Sequence, residues 1–125
     1  MVRWFVILAL LACSGVNAHQ FTPTYPKLTS SYIEGVLHTE MKLFNRRDDV
    51  EYYELSVFDK DWNEVEFAII GGKIFSVPYL QTKSLDIYIS KKDAPRVVYI
   101  CTTSKIVRKD VSSTLISSKI CSKVK

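Results

Sequence analysis

The chain has 125 residues, 47% of them hydrophobic, with 17 Lys and Arg against 13 Asp and Glu and a net charge of +4. That length supports one domain around a single core and is short for two. Both charge signs run mixed along it, which speaks for solubility and against a nucleic-acid partner. Lys105, Arg108, Lys109, Lys119, Lys123 and Lys125 concentrate positive charge toward the C-terminus, which reads first as a solvated hairpin face and second as a weak attraction to an anionic partner or membrane surface.

The first element is a leader. Arg3 gives a positive start, residues 4–12 are unbroken apolar chain too short to span a bilayer, and Val16 and Ala18 form the small-residue pattern of a cleavage site. Residues 1–18 are therefore expected to be removed, with residues 19–125 as one mature domain, periplasmic or secreted. A second reading takes Leu10-Leu11-Ala12-Cys13 as a lipoprotein signal with Cys13 acylated.

The remaining elements are strands. Leu37, Thr39, Met41 and Leu43 alternate with His38, Glu40 and Lys42, and Asn45-Arg46-Arg47-Asp48-Asp49 ends the pattern as a polar turn. Tyr53, Leu55 and Val57 alternate next, and the turn 59–63 follows. A short strand is expected at 65–69, closed by Gly71-Gly72, and another at 74–77 before Pro78. Leu85, Ile87 and Ile89 alternate with Asp86, Tyr88 and Ser90, a β-branched run fills 97–102, and the last strand is expected over 114–124. About seven strands of this kind predict an all-β, immunoglobulin-like β-sandwich.

Cys13 leaves with the leader, so Cys101 and Cys121 make an even pair in an oxidising compartment. Folding the last two strands about Val111 sets Cys101 opposite Cys121 and Val107 opposite Leu115, which predicts a disulfide stabilising by roughly 3 kcal/mol. Tyr99, two residues before Cys101, has the spacing of a tyrosine corner.

Catalytic patterns are missing. His19 and His38 are the only histidines, and no Gly-x-Ser-x-Gly elbow accompanies them. Two cysteines without histidine ligands cannot complete a zinc shell. Asp48-Asp49 and Asp59 with Asp61 read as turn carboxylates bonding nearby backbone, and Gly71-Gly72 lacks the Lys-Ser/Thr of a phosphate loop. Tyr52, Tyr53, Phe58, Trp62 and Phe67 are candidates for core packing or for a ligand patch. No enzyme activity, cofactor or metal is expected.

Several strings, taken in order, resemble the N-terminal domain of periplasmic pilus chaperones, immunoglobulin-like proteins that hold pilin subunits by lending them a strand. Leu43-Phe44-Asn45-Arg46-Arg47-Asp48, Val57-Phe58-Asp59, Ile74-Phe75-Ser76-Val77-Pro78-Tyr79-Leu80 and the segment 115–124 carry the likeness. The resemblance implies a non-catalytic protein-binding module whose partner is an envelope or pilin-like subunit. It also implies a cation near the first strand, a role open to Lys27, and a second on the last strand. Cys121 stands at that second position, so the second cation is missing or is supplied by Lys119 or Lys123. Thr114, Ile116, Ser118 and Ile120 would be the alternating face offered to the partner, or would fill the protein's own sandwich. The alternative function is a structural or accessory subunit of a virion, pilus or cell surface; the sequence sets no oligomeric state.

N-terminal sequencing of the exported protein is expected to begin at His19; a lipid-modified Cys13 at the terminus overturns that expectation.

Overall fold

The computed structural model describes residues 19–105 and 117–125. Among the described residues nine strand segments form two antiparallel sheets: β1 (Gln20–Thr22), β2 (Thr29–Ser30), β3 (Val36–Phe44), β4 (Tyr52–Phe58), β5 (Ala68–Ile69), β6 (Ile74–Ser76), β7 (Thr82–Ser90), β8 (Tyr99–Lys105) and β9 (Lys119–Lys123). One sheet runs β1-β3-β7-β5, with β2 sharing the outer edge of β3; the other runs β6-β4-β8-β9. This is the expected immunoglobulin-like sandwich.

Alternation decides which side chains meet between the sheets. Met41 and Leu43 of β3 and Leu85, Ile87 and Ile89 of β7 face Tyr53, Leu55 and Val57 of β4 and Ile100 of β8, all essentially removed from water. Each large apolar side chain so buried contributes about 1.5–3 kcal/mol, and the nine-residue pairing from Val36↔Ser90 to Phe44↔Thr82 aligns the inward positions of β3 and β7.

The count exceeds seven because the edges are broken into short pieces. The first strand leaves β3 after Thr22, at a cis Thr22–Pro23 peptide, and returns to it as β2. In between, the chain crosses to the other sheet, where Thr24 O accepts from Lys123 N–H and Pro26 O from Lys125 N–H. The strand expected at 65–69 shortens to Ala68–Ile69 because Glu64 bridges to Phe58 and Val65 donates its N–H to Val57 O, turning that stretch back along β4. The last strand begins at Lys119; residues 106–116, with Val107 and Leu115, lie outside the described residues.

One end of the sandwich is gathered by Asn45, fully buried just after β3. Its Nδ2 donates to Val50 O (2.7 Å) and Val77 O (2.8 Å), while Oδ1 accepts from Tyr53 Oη (2.6 Å) and Arg47 N–H (2.8 Å). Its own N–H donates to Gln81 O and its carbonyl accepts from Leu80 N–H. Burial pushes the Tyr53 phenol up to about 12, so it donates as a neutral group. Replacing Asn45 with Leu leaves two buried carbonyls and a phenol unmatched, and is expected to lower unfolding free energy by roughly 2–4 kcal/mol in urea titrations, against about 1 kcal/mol for Tyr53→Phe.

Candidate functional site

The site is the outer edge of β9. Its register with β8 runs Tyr99↔Lys123, Ile100↔Ser122, Cys101↔Cys121, Thr102↔Ile120 and Thr103↔Lys119. Hydrogen-bonded and non-hydrogen-bonded pairs alternate in an antiparallel ladder. Val124 N–H donates to Val98 O and Ser104 N–H to Ser118 O, so even-numbered residues bond toward β8. Odd-numbered residues turn their N–H and C=O groups outward, as Lys123 N–H does in reaching Thr24 O. The 4.1 Å Cα separation of Cys101 and Cys121 agrees, since non-hydrogen-bonded pairs are the close ones. Thr24 and Pro26 cover the C-terminal half of the edge; among the described residues, no strand is hydrogen-bonded to the outward main chain of Lys119 and Cys121.

The residues named from the sequence fall into separate places. Ser118 is half-buried and turned toward Ser104, and Ile120 packs against the core. Thr114 and Ile116 lie outside the described residues. Lys27 is exposed and directly follows Pro26, which places it at the C-terminal end of β9, away from Lys119. Cys101 and Cys121 form the disulfide, with S–S 2.06 Å, joining β8 to β9.

The outer face of the same sheet carries an aromatic cluster. Trp62, 50% exposed, stacks flat on Tyr99 at 4.1 Å and lies 5.6 Å from Phe58. Lys119 Nζ sits 4.7 Å from the Phe58 ring centre and 5.2 Å from that of Trp62, an arrangement that fixes a cation over π faces. Tyr99 therefore serves this stack and makes no side-chain hydrogen bond among the described residues, unlike a tyrosine corner. Trp62 adopts φ 64°, a left-handed conformation costing a bulky residue about 1–3 kcal/mol. The Asp59 turn holds it there: Oδ1 accepts from Asp61 and Asn63 N–H, and these bonds keep the carboxyl below its usual range.

On the inner face, His19 joins β1 to β8 and β9. Its ring is buried, with Nε2 2.8 Å from Thr102 Oγ1, Nδ1 3.1 Å from Ser118 Oγ, and the Tyr53 ring 4.8 Å away. Desolvation lowers its pKa to about 4 against an opposing hydrogen bond to the Thr102 main chain, with a smaller downward push from the like charge of Arg47. Nothing in the sequence marks His19 or Asn45 as structural: one stands at the expected cleavage point and the other opens a polar turn. His38, the other histidine, pairs with Asp86 at 2.9 Å on the opposite sheet. Among the described residues no three His, Cys, Asp or Glu side chains converge as metal ligands.

No protein-family model and no curated protein matches the chain. Solved structures do. The Salmonella enterica SafB chaperone, in complex with SafA pilin, superposes with a TM-score of 0.65 at 15% identity over 90% of this chain and 55% of that one. The E. coli chaperone DraB gives 0.62 at 19% identity over 86% and 53%, and the periplasmic chaperone SfaE 0.54 at 15% over 86% and 56%. The chain is thus a relative in fold of the pilus chaperones, spanning about half the length of these three.

Replacing both Cys101 and Cys121 with Ser is expected to lower stability by about 3 kcal/mol in urea titrations, and non-reducing peptide mapping of the unaltered protein should yield a single linked pair.

Proposed function

We propose that this chain is an exported, non-catalytic protein-binding module that takes a strand of an envelope or pilin-like subunit onto the free edge of β9. The half-covered edge is the observation that carries this reading: outward N–H and C=O groups at Lys119 and Cys121 form a ready template for β-augmentation. SafB, similar in fold, is a chaperone in complex with a pilin, which supports a protein partner, and the periplasmic SfaE supports the same location. Thr114, Ile116, Ser118 and Ile120 are the proposed alternating face; of these, Ser118 and Ile120 turn into the sandwich. Lys27 and Lys123, at the covered end of the edge, are the cations proposed for an anionic group of the partner.

Lys119→Pro tests the edge, because proline there removes an outward N–H and leaves the ladder to β8 complete. Affinity capture from the native envelope should recover a partner with the wild type and with Lys119→Ala, and lose at least tenfold of it with Lys119→Pro of unchanged unfolding midpoint. Equal capture by all three overturns strand pairing at this edge. Ile116→Asp tests the apolar face; Ile120→Asp is unsuitable, since it places a charge against the core.

A further inference from the structure

We propose that His19 is a proton-operated latch on the entry to β9: the neutral ring docks Ser118 beside β8, and the protonated ring leaves its site and releases that approach to the strand. The functional meaning of the latch rests on the reading of β9 as the binding edge; the latch itself does not.

The geometry makes the ring a connector between elements far apart in sequence. Nε2 meets Thr102 on β8 and Nδ1 meets Ser118 one residue before β9, across sequence separations of 83 and 99. Ser118 in turn donates its N–H to Ser104 Oγ at 2.8 Å, and Ser117 Oγ donates to Ser104 O at 3.3 Å. The approach to the free edge is thus held by the main-chain bond from Ser104 N–H to Ser118 O and by a short run of hydroxyls that ends on one imidazole.

A neutral imidazole has one donor and one acceptor, and hydroxyl partners satisfy either tautomer. Both hydroxyls can also accept from an imidazolium, so lost hydrogen bonds are not what expels it. Charge is. From β4 comes the neutral Tyr53, from β8 comes Thr102, whose main-chain hydrogen bond favours the charged ring without offsetting its desolvation, from the approach to β9 comes Ser118, and from the β3–β4 connection comes Arg47, of the same sign. Asp49, two positions after Arg47, is bound to that guanidinium at 2.6 Å. Among the described residues no carboxylate pairs with the ring, and a buried unpaired imidazolium is costly; moving the ring to water removes that cost.

The sign follows from the depressed pKa. The docked ring prefers to be neutral, so its contribution is fully present above about 6.5, the value of a free imidazole, and is lost as pH falls from there toward 4. Between pH 7.5 and pH 5, the equilibrium for releasing the ring should rise on the order of thirtyfold.

Amide hydrogen exchange on the wild-type protein, corrected for intrinsic rates, reads the latch directly. At pH 5 the Ile120 and Ser122 amides, which bond toward β8, should be at least tenfold less protected than those of Leu85 and Ile87 in β7; equal protection at the two strands overturns the proposal. His19→Gln should remove most of the pH dependence of protection at Ile120 and Ser122. Should that variant fail to fold, Ser118→Ala supplies the second test: it keeps the buried ring but cuts its tie to β9, so protection at Ile120 should become nearly independent of pH while global stability still falls with acid. A wild-type pH response at Ile120 in either folded variant overturns the latch. None of these measurements needs the partner, so a failed capture experiment and a failed latch are told apart.

Discussion

A buried asparagine persists only when every polar atom it carries is matched, and Asn45 meets that condition by binding four parts of the chain at once. Its amide closes the turn after β3, its carbonyl oxygen aims the Tyr53 phenol, and its main chain holds the turn before β7. The end of the sandwich is set by this one side chain. Apolar burial drives the sheets together without direction; the asparagine makes one arrangement of the loops better satisfied than its competitors. Tyr53 carries the constraint across the core, since its ring also lies against His19.

From there the constraint reaches the edge strand. β9 is held on its inner face through Ser118 and His19, on its outer face through Lys119 over the aromatic rings, and covalently by the Cys101–Cys121 bond. A five-residue strand at a sheet edge is ordinarily prone to fray. Three independent restraints on so short a segment leave it ordered before any partner arrives, which lowers the entropy a partner must supply on pairing.

The long strands were legible because period-two alternation is a local property. β3, β4 and β7 sit where Leu37 to Leu43, Tyr53 to Val57 and Leu85 to Ile89 alternate, and the cysteine register followed from counting along one hairpin. What resisted reading depends on partners far away in sequence. Nothing near His19 announces Thr102 and Ser118, Asn45 looks like any turn residue, and Tyr99 has the spacing of one motif but lies beside Trp62, which decides its use. The free edge was anticipated from family likeness; that its C-terminal half is closed by Thr24 and Pro26 had no local signal, because a crossing between sheets leaves no periodic trace.

The stack of Trp62 on Tyr99 gives the molecule an optical handle. The sequence contains two tryptophans, and the other, Trp4, belongs to the expected leader. The mature chain would then carry a single indole, half in water, with the Lys119 ammonium beside its ring. Indole emission responds to nearby charge and to solvent, so a displacement of β9 at that point alters the fluorescence of the native protein. The strand proposed to meet a partner is in this way wired to an unlabelled chromophore, and its occupancy becomes a spectroscopic quantity.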